Sequence, residues 1–245
     1  MSNQEEEFVF NENEEIYKGH FDLVDIDKLM KLNVFMLGAG SIGSFAAVAM
    51  AKMGITKCTI VDFDSIEVHN QANQIYNWRQ TGALKVAELE KIISGYSKPN
   101  WEWEFHKDRL ESVDDVDKYA RKADIIISAV DNMKARQLLF EYSCQNMARI
   151  SMFIDSRIGA TQCEAYAVLP YMPDEVQLFE ENNLDNDEDM PDIKCTEKSI
   201  IFPVMWTASW ISSCIYHIAN GTEETIPFGI DINFKTWDIF KDKRP

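Results

Sequence analysis

The stretch Asn33-Val34-Phe35-Met36-Leu37-Gly38-Ala39-Gly40-Ser41-Ile42-Gly43 decides the fold. An apolar run gives way to glycines spaced G-x-G-x-x-G, and small, apolar residues continue from Ser41 to Met53, ending at Gly54. The run reads as a buried parallel strand, and the segment from Ser41 to Met53 reads as a helix that Gly54 closes. Glycines at such a turn let the backbone approach a phosphate. The helix start adds free N–H groups and a partial positive charge. Cys58-Thr59-Ile60-Val61-Asp62 is then a second strand, with Asp62 where these folds hold a ribose.

Outward from this unit the alternation continues. Helices are expected over Thr81–Ser94, Ser112–Arg121 and Lys134–Met147, and strands over Trp101–Phe105, Asp124–Val130 and Ser151–Asp155. The pattern predicts an α/β fold with a doubly wound, mostly parallel Rossmann-like sheet. Beyond residue 159 the character changes. Gly159–Leu169 reads as strand, residues 170–195 as a long acidic loop, Ser199–Ala219 as an apolar helix and Ile230–Asp238 as a final strand. Residues 1–20 read as a mobile acidic arm and residues 21–245 as one domain with a C-terminal extension.

Of the 245 residues 46% are hydrophobic, enough for one sizeable core. A net charge of −17 excludes general nucleic-acid binding and adsorption to an anionic membrane. No two of Cys58, Cys144, Cys163, Cys195 and Cys214 are spaced as CxxC, so a structural zinc site is not expected. Free thiols and an acidic N-terminus without a signal pattern suit a reducing cytoplasm. Polar residues and Pro203 inside the apolar stretch from Ile200 to Ala219 favour a buried helix over a membrane span.

Further motifs come after Asp62: Asp64, then Asn70, Asn73-Gln74, Gly82 with Lys85, and after a buried strand Val130-Asp131-Asn132 with Arg136. In this order the chain resembles the ThiF/MoeB/HesA family, the bacterial relatives of ubiquitin-activating enzymes, over residues 22–220. The resemblance implies an ATP-binding adenylation domain, and an adenylyltransferase that activates a C-terminal carboxylate of a small ubiquitin-like or sulfur-carrier protein or peptide. Gly38, Gly40 and Gly43 would surround the phosphates, Asp62 would bind ribose, and Asn70 and Lys85 would contact phosphates. Asp64 and Asn73 fall within the same nucleotide-binding motif, and Asp131 would hold Mg2+. The acidic loop would correspond to the family's crossing loop, and a homodimer is the expected assembly.

The chemistry agrees with these residue types. A carboxylate is a poor electrophile until its oxygen attacks the α-phosphate of ATP and forms an acyl-adenylate. Negative charge then spreads over phosphoryl oxygens, where a lysine and Mg2+ stabilise it. Read alone, Lys85 is a solvated helix lysine and Asp131 a helix N-cap. Asn73 stands where the family has arginine; Arg79 lies six residues on. Cys195, in Lys194-Cys195-Thr196, either accepts the acyl group as a thioester or packs at a helix start. Two other readings stay open: an NAD-dependent oxidoreductase on the same motif, and a catalytically degenerate scaffold subunit.

Overall fold

In the computed structural model, described for residues 17, 19–20, 22–96, 101–184 and 200–245, the apolar runs form the centre of one sheet. Strand β1 (Asn33–Leu37) pairs in parallel with β2 (Lys57–Val61) on one side and β4 (Ile125–Ser128) on the other. β3 (Glu102–His106) extends the β2 side, and β5 (Met152–Gly159) extends the β4 side, both in parallel. The run turns antiparallel at β6 (Gln162–Val168), β7 (Gly229–Asn233) and β8 (Asp238–Asp242). The order β3-β2-β1-β4-β5-β6-β7-β8 confirms the doubly wound, mostly parallel sheet. Chain direction across the sheet reverses between β1 and β4. Such switch points open a crevice beyond the strands' carboxyl ends, and the glycine turn lies there.

Helices cover both faces. On one face α1 (Ile26–Lys31), α2 (Ser41–Met53), α3 (Lys85–Ser94) and α7 (Ile201–Asn220) bury Leu29, Met50, Leu89 and Ile211 against Val34, Met36 and Ile127. On the other, α4 (Val113–Ala120), α5 (Met133–Gln145) and α6 (Pro173–Asn183) bury Val116, Leu139 and Phe179 against Phe35, Ile126 and Phe153. Each central strand thus sends alternate side chains into two cores, which is why these strands are continuously apolar. Among the described residues no helix is long and apolar enough to cross a membrane.

Several expectations are corrected. The acidic stretch is not all loop, because Pro173–Asn183 is helical. Its proline sits at the start of the helix, where a missing N–H costs nothing, and Asp174 and Glu175 face the positive end of the dipole. The helix expected from Thr81 begins only at Lys85, since Gly82 takes a φ of +87° and Leu84 bridges to Ser65. The expected last strand is a hairpin, β7 and β8, broken after Asn233. The arm expected over residues 1–20 falls mostly outside the described residues, but Tyr17 within it is buried against Gly54.

Candidate functional site

The glycines of the turn have different jobs. Gly38 has a φ of +105°, and a Cβ there would run into the Ala129 carbonyl after β4. A Cβ on Gly43 would run into the Gly38 carbonyl. These two glycines let helix, turn and neighbouring strand close on one another. Gly40 is different: a Cβ there would meet only Gln74 Nε2, at 3.9 Å. The space beside it is open, and the Oε1 atom of Gln74, buried nearby, has no hydrogen-bond partner among the described residues. Among the described residues the amides of Gly40, Ser41 and Ile42 also donate to no acceptor. Free amides and an open glycine at a helix start fit a phosphate group.

Asp62 lies just past β2 and is buried. Its Oδ2 accepts from the Ala39 amide and its Oδ1 from the Asp64 amide, each at 2.7 Å. Burial raises its carboxyl above the usual range, while the nearby Lys85 charge and the two amides pull the other way. From the other side the Tyr76 hydroxyl donates to the Ala39 carbonyl, also at 2.7 Å. Tyr76 carried no motif signal; only its spacing from the glycine turn in the fold gives it a place here.

Lys85 is the first residue of α3 and is 7% exposed, so it is not a solvated lysine. Its Nζ lies 2.8 Å from Asp64 Oδ2, and its amide donates to the Asp64 carbonyl at 3.0 Å. Asn70 and Asn73 are buried in the same connection. The Asn70 side chain closes the 3-10 turn Val68–Ala72 by accepting from the Glu67 amide at 2.8 Å. Arg79 does not take the place of the family arginine within this wall: it is exposed and lies over the Trp78 ring, 5.4 Å from its centroid.

Asp131 is exposed on the turn after β4, two residues past the Ala129 carbonyl that packs on Gly38. It is not the helix N-cap; Asn132 is, accepting from the Ala135 amide at 2.8 Å. Behind this turn stands a buried ion network that the sequence did not reveal. Arg136 Nε reaches Asp155 Oδ1 at 2.5 Å and its guanidinium donates to the Val130 carbonyl at 3.1 Å. Arg157 holds the other Asp155 oxygen at 2.8 Å and donates to the Asn183 carbonyl at 2.7 Å. One fully buried carboxylate thereby ties the Asp131 turn to the end of α6.

Among the described residues no group of three or more His, Cys, Asp or Glu is placed to hold a metal. Magnesium is commonly held by one or two carboxylates plus substrate phosphates, so a single exposed Asp131 at the crevice fits that mode and no all-protein cage. Cys195 lies outside the described residues. Cys58, Cys163 and Cys214 are buried and Cys144 partly so. Burial pushes the Cys144 and Cys163 thiols up to about 11.

With that geometry in place, the chain can be set beside known proteins. The model of the ThiF family matches residues 14–244. Ubiquitin-like modifier-activating enzyme 5 of Gallus gallus is 24% identical over 139 residues, 52% of this chain and 34% of that protein. Its counterpart in Dictyostelium discoideum is 25% identical over 121 residues, 45% of this chain and 32% of that protein. The chain spans about a third of the length of these relatives. Among solved structures, PaaA superposes with a TM-score of 0.75 at 16% identity, covering 99% of this chain and 77% of PaaA. E. coli MccB with ATP gives a TM-score of 0.70 at 17% identity, covering 89% of this chain and 65% of MccB. E. coli MccB with AMPCPP and MccA gives 0.71 at 16%, covering 90% of this chain and 66% of MccB. At these identities the likeness is one of fold.

Proposed function

This chain belongs to the ThiF family, and from that premise we propose that it is an adenylyltransferase, using ATP to activate the C-terminal carboxylate of a small protein or peptide. The observation that carries the reading is Lys85, a buried cation at the start of α3 whose charge bears on Asp62 at the mouth of the glycine turn. Asp64 offsets part of the cost of desolvating this lysine, and an anionic ligand at the turn would offset more.

In the proposed reaction a carboxylate oxygen attacks the α-phosphorus, the bond to the pyrophosphate oxygen breaks, and acyl-adenylate and pyrophosphate form. The open side of Gly40 and the free amides of Gly40, Ser41 and Ile42 receive phosphate oxygens. Lys85 stabilises charge developing on the phosphoryl group, and Asp62 and Asn70 shape the wall beside it. Asp131 is the residue that would hold Mg2+, which supplies charge neutralisation at the phosphates. Asn73 offers a neutral amide where the family has arginine, so more of that charge falls to Lys85.

The relatives' names suggest two substrate classes, a ubiquitin-like modifier and a peptide such as MccA. Residues 21–245 act as one adenylation domain in this reading, as a homodimer in the cytoplasm. Where a thioester is formed after the adenylate, Cys195 carries it.

The test is ATP–pyrophosphate exchange with purified protein, offered small proteins ending in glycine and short peptides, with Lys85→Ala and Asp131→Ala as controls. Exchange that needs the tail and disappears in both variants supports adenylation. ATP binding with no exchange for any tail supports the degenerate scaffold subunit, and the absence of ATP binding ends the nucleotide reading.

A further inference from the structure

Two successive peptide units of the glycine turn are fixed from inside the protein. The Ala39 amide, in the unit joining Gly38 to Ala39, is held by Asp62 at 2.7 Å. The Ala39 carbonyl, in the next unit, is held by the Tyr76 hydroxyl at 2.7 Å. In a trans peptide the C=O and the next residue's N–H point in opposite directions. Drawing the Ala39 carbonyl inward to Tyr76 therefore turns the Gly40 N–H outward. That is the side where a Cβ on Gly40 would find nothing nearer than Gln74 Nε2, and the Gly40 amide has no acceptor among the described residues.

We propose that Tyr76 is a positioning residue for the nucleotide: its hydroxyl locks the peptide between Ala39 and Gly40 so that the Gly40 amide is preset to donate to a phosphate. This rests on the reading of the glycine turn as an ATP site. Tyr76 itself is 2% exposed and far too buried to touch a ligand, so its action runs through the backbone. Burial, with the nearby charges of Asp62 and Glu88, drives its phenol well above the usual range, so it stays a protonated donor. The alternative orientation, with the peptide flipped, would leave the Ala39 carbonyl facing the open space and repel phosphate oxygens. A preset donor spares the reorganisation that binding would otherwise require.

The experiment compares wild type, Tyr76→Phe and Tyr142→Phe for binding of adenosine, AMP and ATP by calorimetry and competition. Tyr142 is a second buried tyrosine, with its hydroxyl 3.0 Å from Asp117 on the other face of the sheet, so it controls for loss of a buried hydroxyl. Tyr76→Phe is expected to weaken ATP and AMP about tenfold while adenosine stays within about twofold. Tyr142→Phe should leave all three unchanged. Equal weakening of adenosine and ATP, or ATP binding as in wild type, would overturn the assignment. Should Tyr76→Phe not fold, the Gly40 amide of 15N-labelled wild type is monitored instead. A shift with ATP and none with adenosine supports the preset donor, and no shift with ATP overturns it. A wild type that binds no nucleotide sinks the ATP site itself, and that failure is read before any variant is compared.

Discussion

The Lys85 ammonium sits 2.8 Å from the Asp64 carboxylate, with the lysine side chain 9% exposed and its partner 48% exposed. A cation is thus held inside the wall of the crevice by an anion that remains open to water. Pairs of this kind contribute little to stability, because the exposed partner is screened and already well solvated. Their value lies in the charge they keep at a fixed place.

Lys85→Ala should therefore separate activity from stability. Loss of one electrostatic stabiliser of a transition state lowers turnover by about 100- to 1,000-fold. The melting free energy should change by about 1–2 kcal/mol, since a half-exposed carboxylate loses its partner and the buried lysine stem leaves a gap. Pyrophosphate exchange and thermal melts on the same preparation decide it. A variant that melts far lower would make Lys85 a structural residue.

The Arg136–Asp155–Arg157 network predicts the opposite balance. Asp155 is fully buried and serves both guanidinium groups. Asp155→Ala leaves the buried Arg136 and the half-buried Arg157 without their shared anion, which costs about 3–5 kcal/mol by urea unfolding. Arg157→Ala should cost less, because Arg136 still neutralises the carboxylate. Equal losses from the two changes would mean that the network does not act as one unit.

Much of this is legible in the sequence, and the gaps have physical causes. Runs such as Ile125-Ile126-Ile127 name their own state, because only a strand covered on both faces is apolar throughout. The glycine turn is readable because Gly38 and Gly43 are demanded by backbone contacts that no other residue permits. Helix Pro173–Asn183 reads as loop because proline, acids and asparagines are loop signals and helix-start signals alike; what decides is Phe179, buried between Phe140 and Phe153. Tyr76 and Asp155 are invisible because their partners, Ala39 and Arg136, are 37 and 19 residues away, and no local pattern records such a bond.

Asp62 carries a pH signature. Burial raises its carboxyl above the ordinary 3.8, so the folded protein holds that proton more tightly than the unfolded chain does. The stability it contributes is complete below that value and is lost as pH rises through the folded value. The stability gap between wild type and Asp62→Asn should therefore narrow as pH rises above about 4. Thermal melts across that window read it directly. A gap that widens with pH would show that the two amides and Lys85 outweigh burial.

The thiols make a labelling prediction. Cys58 and Cys214 are wholly buried with their thiols driven up, and Cys144 and Cys163 are raised to about 11. Thiolate is the reactive form, so at neutral pH these four should resist alkylation in the native protein. If Cys195 carries the acyl group, mass spectrometry should find one fast-reacting thiol there. Cys195→Ala should abolish both that label and any thioester, while exchange of pyrophosphate continues. Fast labelling at any of the other four would refute the protection argued for them.

Gly38 and Gly40 stand two residues apart and should answer to alanine in different ways. At Gly38 a Cβ meets the Ala129 carbonyl, and the φ of +105° is one that L side chains rarely adopt. Backbone cannot step aside as a flexible side chain can, so Gly38→Ala should cost at least about 2 kcal/mol of stability. At Gly40 the new methyl meets only the end of Gln74, at 3.9 Å, and φ is −80°. Gly40→Ala should therefore fold with a loss of about 1 kcal/mol or less. Its methyl would occupy the space proposed for a phosphate, so ATP affinity should fall by about tenfold or more while adenosine is less affected. Denaturation and nucleotide titration on the pair separate the glycine that builds the turn from the one that leaves room for the ligand. ATP binding undiminished in Gly40→Ala would place the phosphates elsewhere.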